Sequence, residues 1–379
     1  MRPVHRTLLQ NLTPSDTFEI AHLNVPSWNK HARVSKWARC PGKCFFSVRP
    51  TINMLLLLAA IVHGHTVERL HMVFGASFIP HPEKAAKGGE DAYFFNDALG
   101  IFGVSDGVGG SASPTVDPGE YSREMLRRCH KVQSEGDRPS TLPACVRAAA
   151  EEQIELGGSA TLLLGKLEQR RSDAQYEYSL RLLNLGDSGA LVLRPAFRTF
   201  RKGKVLWPRV LLRTADQQHY FNCPFQTSAE DFETAGERAD QVSTEVRDGD
   251  ILVAATDGVL DNLYDKNLQV AVARCLPGLR ATDPKEAQAA VDELAKVIAK
   301  EANAVGLREG EPFRTPFMDH AADEGYRFVG GKLDDVAVVC AVVRCGEQPP
   351  PRIGNNFLGA EGVVVPTTAA MAKEAAPTE

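Results

Sequence analysis

Carboxylates recur at the points where the predicted core strands of this sequence begin or end. Asp106 follows the apolar run 101–105, Asp257 follows 251–256, and Asp187 lies between two further strands. Each Asp-Gly pair alone is typical of an ordinary turn, but acids at the ends of adjacent strands converge on one edge of a sheet. Five further acids have similar positions: Glu90, Asp91, Asp261, Asp334 and Asp335.

Such a group of carboxylates favours hard divalent cations. Its members repel one another unless cations neutralise them, and all-oxygen ligation is what Mg²⁺ or Mn²⁺ prefers. Two such ions can share and acidify a water and hold a phosphoryl group for in-line attack. Zinc is disfavoured, because no second Cys/His pair follows Cys40 and Cys44 at zinc spacing. The acids therefore indicate metal-assisted hydrolysis.

The sequence predicts groups of strands, with pairs of helices between them, as the elements that position these acids. Short apolar or alternating runs separated by Gly, Asn and Asp predict strands joined by turns. Paired helical patterns lie between the groups of strands, unlike the regular alternation of a doubly wound parallel sheet. We predict layered antiparallel sheets with flanking helices, an α+β fold. The predicted helices cover 120–132, 142–156, 267–275 and 284–304.

Composition fits a soluble globular chain. The 379 residues are 43% hydrophobic and 24% charged, with 43 Lys+Arg against 48 Asp+Glu and a net charge of −5. These values exclude a wholly disordered chain, a collagen-like fibre and a polytopic membrane protein. The mild acidity also argues against a nucleic-acid binder, which needs a basic surface.

The N-terminal segment differs from the rest in charge. Residues 1–50 contain eight Lys/Arg and two acids, a bias typical of an organelle transit sequence. Met54–Val62 adds nine apolar residues, far short of the roughly 20 needed to span a bilayer. We predict that residues 1–65 are a basic leader that targets a plastid or a mitochondrion. A disordered extension of a cytoplasmic protein is the alternative, and the apolar run could equally be a buried element.

Six motifs occur in order along the chain: GGEDAYF (Gly88–Phe94), VSDGVGG (Val104–Gly110), GSATLLL (Gly158–Leu164), LGDSGA (Leu185–Ala190), AATDGVLDN (Ala254–Asn262) and GGKLDDVAVV (Gly330–Val339). Taken together, they resemble the type 2C (PPM family) metal-dependent Ser/Thr protein phosphatases. Within that family, the segments HPEKAAKGGEDAYF, VDPGEYSREML, QQHYFNCPFQ and GGKLDDVAVV are most similar to the organellar branch, which includes mitochondrial members and the chloroplast photosystem II core phosphatase.

The resemblance implies an α-β-β-α sandwich with two metal ions, Mn²⁺ or Mg²⁺, at one edge. Asp106 would bridge both ions, and the Gly107 carbonyl would ligate one of them. Asp257 and Asp334 would complete the ligand set and, with Asp106, support catalysis.

The remaining acids have weaker assignments by resemblance. Glu90 and Asp91 would contact the metals directly or through water. Asp187 and Asp261 match the acids that hold a third, weaker ion in some members. Asp335 occupies a position that is commonly Asn, so a supporting role is expected.

Two positions depart from the family pattern. Many members have His after the first Asp-Gly, a candidate general acid, where this chain has Val108. Many also have an Arg that grips the substrate phosphate, where the nearby cations here are Lys84 and Lys87. Lysine offers a point charge but cannot match the bidentate guanidinium.

These inferences predict one catalytic domain with two appended ends. The phosphatase domain covers 66–345 with a flap-like insertion at 195–250, and 346–379 is expected to be a disordered tail. The predicted activity is hydrolysis of phosphoserine or phosphothreonine in proteins by a metal-activated water, without a phosphoenzyme, in a monomer that does not insert into membranes. The alternative is a pseudophosphatase that binds phosphoproteins; retention of the metal acids weighs against it.

Overall fold

The computed structural model describes most of the chain beyond the predicted leader. Residues 1–68, including the basic leader and the apolar run Met54–Val62, lie outside the described residues. The described ranges are 69–135, 138–151, 154–172, 175–200, 203–346, 348–356 and 365–366.

Strands and helices alternate in groups, as the sequence predicts. The strands are β1 (Leu70–Ile79), β2 (Ala92–Asn96), β3 (Ile101–Ser105), β4 (Ser159–Ala160), β5 (Leu162–Ser172), β6 (Gln175–Leu185), β7 (Gly189–Phe200), β8 (Gly203–Arg213), β9 (Gln218–Tyr220), β10 (Cys223–Pro224), β11 (Thr227–Ser228), β12 (Asp240–Glu245), β13 (Ile251–Ala255), β14 (Val336–Cys345), β15 (Arg352–Asn355) and β16 (Val365–Pro366). The helices are α1 (Pro118–Ser134), α2 (Leu142–Ala149), α3 (Phe232–Arg238), α4 (Asp257–Leu260), α5 (Asp265–Leu279), α6 (Pro284–Gly306) and α7 (Pro316–Asp323).

Two antiparallel sheets form the centre of the fold. One has five strands in the order β1-β14-β13-β7-β8, and the other has seven in the order β12-β6-β5-β3-β2-β15-β16. The pairs β1–β14, β13–β14, β2–β3 and β5–β6 are all antiparallel. The expected α+β sandwich of two antiparallel sheets flanked by helices is therefore confirmed.

Three apolar layers hold the sandwich together. Helices α5 and α6 pack on the five-stranded sheet through residues such as Leu268 and Leu294. Helices α1, α2 and α3 cover the outer face of the seven-stranded sheet, with Met125 in that layer. The third layer lies between the sheets and contains Phe74 and Phe102. Strands such as β14 are continuously apolar because both of their faces are buried.

Strand β2 shows how the sequence pattern produces these layers. Tyr93 and Phe95 point into the layer between the sheets, whereas Ala92 and Phe94 contact the helices outside. Successive side chains of a strand point to opposite faces, so an all-apolar strand must be covered on both sides. The same reasoning explains why the chain needs helices on both outer faces.

The segment after Cys345 corrects one sequence prediction. Residues 346–379 were expected to be a disordered tail, but β15 pairs antiparallel with β2 and extends the seven-stranded sheet. The Asn356 side chain accepts the Tyr93 N–H at 2.9 Å and donates to the Asp91 carbonyl at 2.9 Å. Three prolines at 349–351 suggest disorder, and these specific polar contacts outweigh that local signal. Residues 357–364 and 367–379 lie outside the described residues.

The four predicted helices correspond to α1, α2, α5 and α6, whereas α3, α4 and α7 were not predicted. Helix α2 ends at Ala149, although the pattern predicted helix as far as residue 156. Within the described part of the chain, none of the helices combines the length and apolarity needed to cross a membrane.

Candidate metal centre

The acids gather where the ends of paired strands meet. Ala255, the last residue of β13, pairs with Val338 of β14, so Asp257 and Asp334 flank the same end of the five-stranded sheet. Ala92 of β2 pairs with Ser105 of β3, which places Asp91 and Asp106 at one end of the other sheet. The connection that carries Asp187 crosses between the sheets from β6 to β7.

Three acids from three different connections come together at this edge. Asp106, Asp187 and Asp257 each present one carboxylate oxygen, and these oxygens all lie within 4.8 Å of one another. Asp187 and Asp257 are buried, and Asp106 is partly exposed. The structure thus brings together Asp106 and Asp257, which are 151 residues apart in the sequence.

Hydroxyl groups beneath Asp106 fix its position. The Asp106 N–H donates to Thr161 Oγ1 at 3.0 Å, and the Thr161 N–H donates to the Asp106 carbonyl at 2.9 Å. Thr161 Oγ1 also lies 2.9 Å from Ser188 Oγ, which follows Asp187. The backbone of Asp106 and the residue that follows Asp187 are therefore both hydrogen-bonded to the same buried threonine.

Asp91 and Asp335 are buried and have structural partners. Thr256 donates its hydroxyl to Asp91 Oδ2 at 2.7 Å. Asp335 accepts the N–H groups of His81 at 2.7 Å and Glu90 at 2.9 Å. Asp335 thus holds the loop that carries Glu90.

Lys332 lies beside three acids, Asp257, Asp261 and Asp334. Its Nζ is 2.5 Å from Asp257 Oδ2, 2.8 Å from Asp261 Oδ2 and 3.5 Å from Asp334 Oδ2. Lys332 was not among the residues predicted to form the site. The sequence signal that could have identified it is its position two residues before Asp334, in the motif that carries Asp334 and Asp335.

The two lysines predicted to contact substrate phosphate have different positions. Lys84 Nζ is 2.6 Å from Glu90 Oε2 and 3.4 Å from both Asp334 Oδ1 and Asp335 Oδ2. Lys87 is exposed in the short 3₁₀ turn Ala85–Lys87. The structure therefore brings Lys84, but not Lys87, to the acids.

Two glycines allow the close approach that the site requires. A Cβ on Gly107 would lie 2.7 Å from the Pro118 carbonyl oxygen and 2.8 Å from that of Glu90. A Cβ on Gly258 would overlap the carbonyl oxygen of Asp335. The Asp-Gly pairs are thus needed for packing of the acid-bearing loops against each other.

Burial and mutual repulsion dominate the electrostatics of the converging acids. Burial raises the pKa of Asp106 well above its usual range, and the nearby Asp257 raises it further. Burial also raises the pKa of Asp187. The pKa of Asp257 rises to about 6 because burial outweighs the opposing effect of Lys332. Concentrated negative charge in this pocket is therefore unfavourable without added cations.

Asp334 is the exception among these acids. Burial acts to raise its pKa, but the ammonium groups of Lys332 and Lys84 outweigh that effect, so the pKa of Asp334 lies below its usual value. The two lysines therefore favour the charged form of Asp334.

The donor set fits divalent metal ions. Within the described residues, Asp187 Oδ1 and Asp257 Oδ1 are buried oxygens without a hydrogen-bond partner. Buried polar atoms are nearly always satisfied, and carboxylate oxygens are the ligands that Mg²⁺ and Mn²⁺ prefer. The two unpartnered oxygens belong to acids that already converge, so metal binding at this site would give them the partners they lack.

The range 195–250, predicted as a flap-like insertion, divides between sheet and connection. Residues 195–213 include the end of β7 and all of β8, and β12 is an edge strand of the other sheet. Residues 214–239 lie outside the two large sheets. Here the ring of His219 is 4.4 Å from that of Phe225, and the ring of Phe221 is 5.1 Å from that of Phe317 in α7.

Comparison with known proteins identifies the family. No protein-family model matches the chain. The "Probable protein phosphatase 2C 80" of Arabidopsis thaliana is 34% identical over 280 residues, which cover 73% of this chain and 60% of that protein. The "Protein phosphatase PTC7 homolog" of Xenopus laevis is 32% identical over 269 residues, covering 67% of this chain and 81% of that protein.

A solved structure agrees with these relatives. The X-ray structure of the photosystem II phosphatase PBCP superposes with a TM-score of 0.58 at 27% sequence identity, and the match covers 72% of this chain and 99% of that one. The chain belongs to the type 2C protein phosphatase family. The resemblance that the six motifs indicate is therefore confirmed.

Proposed function

We propose that this chain is a metal-dependent protein phosphatase that hydrolyses phosphoserine and phosphothreonine. The observation that carries the proposal is the convergence of Asp106, Asp187 and Asp257, whose oxygens lie within 4.8 Å of one another. Family membership supports the activity, although the chain spans only 60% of the length of the Arabidopsis relative.

The acids would hold two Mn²⁺ or Mg²⁺ ions, with Asp106, Asp257 and Asp334 as the principal ligands. Ions bound there would supply the Lewis acidity that activates a water and neutralises the phosphoryl oxygens. The Gly107 carbonyl, Glu90 and Asp91 would complete or support the ligand set. No side chain is required as a covalent nucleophile, so no phosphoenzyme is formed.

Lys84, rather than Lys87, would contact the substrate phosphate. Its ammonium already lies among Glu90, Asp334 and Asp335, and it would act as a point charge for the phosphoryl group. Val108 does not supply the leaving-group proton, because the valine side chain has no ionisable group.

The activity is tested with the full chain and a phosphothreonine peptide. We expect phosphate release in Mn²⁺ that stops on chelation, with no labelled protein after acid quench of a reaction on ³²P-peptide. Release that survives the chelator would contradict the metal mechanism. Labelled protein would contradict direct attack by water. Absence of release in saturating Mn²⁺ would support the pseudophosphatase alternative.

We also propose an organellar monomer. The basic composition of residues 1–50 and the likeness to a photosystem II phosphatase support the location. A fluorescent fusion of residues 1–66 is expected to enter a plastid or a mitochondrion, and a cytosolic signal would contradict the proposal. Light scattering is expected to give the mass of one chain, and a dimer mass would contradict it.

A further inference from the structure

Lys332 is held in place along its whole length. Its N–H donates to Asn262 Oδ1 at 3.0 Å, and its carbonyl accepts from Asn262 Nδ2 at 2.8 Å. Its Nζ lies 5.1 Å from the centroid of the Phe317 ring. The Phe317 N–H in turn donates to the Asp261 carbonyl at 3.0 Å. The ammonium and its acidic partner Asp261 therefore belong to one fixed group of residues.

The Lys332 ammonium contacts one oxygen, and not both, of the Asp257 and Asp334 carboxylates. It contacts Asp257 Oδ2 at 2.5 Å and leaves the buried Asp257 Oδ1 without a hydrogen-bond partner among the described residues. Asp334 presents Oδ2 to Lys332 and Oδ1 to Lys84. One oxygen of Asp257 is thus paired with the lysine and the other is buried without a hydrogen-bond partner among the described residues, in an acid that converges with Asp106 and Asp187.

Asp261 shares the Lys332 ammonium with Asp257 but lies outside the group of converging acids. Its Oδ2 lies 2.8 Å from Lys332 Nζ, and Asp261 is not one of the acids whose oxygens converge in the described structure. An ion bound to the Asp261 carboxylate would lie close to the ammonium and be repelled by it. The lysine and a divalent ion therefore compete for this acid.

We propose that Lys332 is a resident cation of the site and that it takes the place of a divalent ion at Asp261. The inference rests on the proposed function, because it concerns how many metal ions the phosphatase centre holds. It also revises the expectation from family resemblance that Asp187 and Asp261 together bind a third ion. The chain would hold two divalent ions and one ammonium.

The test counts Mn²⁺ ions bound to the full chain by equilibrium dialysis and elemental analysis up to millimolar Mn²⁺. We expect two ions in the wild type, three in Lys332→Met, and two again in Lys332→Met/Asp261→Asn. The matched control is Lys300→Met, which removes an exposed lysine of α6 and should leave two ions. Three ions in the wild type, or no gain in Lys332→Met, would overturn the inference while leaving the proposed function intact.

A second variant keeps the inference testable if Lys332→Met does not fold. Asp261→Asn in the wild-type background should leave the ion count unchanged, because the ammonium and not a metal occupies that carboxylate. Loss of an ion in Asp261→Asn would overturn the inference. A folded wild type that binds no Mn²⁺ at all would instead contradict the proposed function, and the inference would fall with it.

Discussion

The Asn262 side chain makes two hydrogen bonds to the backbone of Lys332: it accepts the Lys332 N–H at 3.0 Å and donates to the Lys332 carbonyl at 2.8 Å. Its Nδ2 also donates to the Gly258 carbonyl at 2.9 Å. Gly258 follows Asp257, and Lys332 precedes Asp334 by two residues. One buried amide therefore sets the distance between the loops that carry two of the central acids.

Replacement of this amide should destabilise the fold. Asn262→Ala leaves buried polar groups of Lys332 and Gly258 without partners, and we expect a loss of about 3 kcal/mol in the free energy of unfolding. Urea denaturation of the metal-free chain measures it. The control is Asn267→Ala on the exposed face of α5, expected to change stability by less than about 0.5 kcal/mol. Equal effects of the two variants would contradict the role of Asn262.

The Thr256 hydroxyl offers a finer test. It donates to Asp91 Oδ2 at 2.7 Å and accepts the Ala337 N–H at 3.0 Å. Thr256→Val keeps the shape but removes both contacts, so we expect a loss of about 1–3 kcal/mol in the free energy of unfolding and weaker Mn²⁺ binding by calorimetry. Thr256→Ser keeps the hydroxyl and should retain most of the affinity; a serine variant as weak as valine would argue against the hydrogen bond.

Much of this arrangement follows from local sequence signals. Asp106 and Asp257 could be predicted because apolar runs end directly before them, and antiparallel pairing brings such ends together. The Asp-Gly dipeptides mark the turns whose close packing needs glycine. The layers follow from the apolar pattern of strands such as β2 and β14.

Other features depend on contacts that no local pattern reveals. A lysine in a loop is usually exposed, and Lys332 is partly buried because Asn262 and Phe317 hold it from distant parts of the chain. Strand β15 follows a proline-rich stretch and is ordered by the long-range contacts of Asn356 to Tyr93 and Asp91. Such tertiary contacts override local composition.

The raised pKa of Asp257 predicts a pH-dependent stability of the metal-free chain. Its pKa is about 6 in the folded protein against an ordinary 3.8, so the folded state favours the protonated acid. The stability that this proton contributes is complete below the ordinary value and is lost as the pH rises through about 6. Relative to Asp257→Asn, the wild type should lose about 2 kcal/mol between about pH 4.5 and 7.

Urea denaturation in chelator at several pH values measures this difference. The comparison with Asp257→Asn cancels the titration of distant groups that both proteins share. A wild type that instead gains stability over Asp257→Asn as the pH rises would show that the ion pair with Lys332 outweighs burial.

The most direct test of the metal centre is kcat/KM of Asp106→Asn on a phosphothreonine peptide in saturating Mn²⁺. Asparagine keeps the size of the side chain but removes the charge of the acid that should contact both ions, so we expect a fall of about a thousandfold. Asp240→Asn, at an exposed position of β12, should retain wild-type activity. If Asp106→Asn is as active as the Asp240→Asn control, Asp106 is not a required ligand of the metal centre and the proposed function is contradicted.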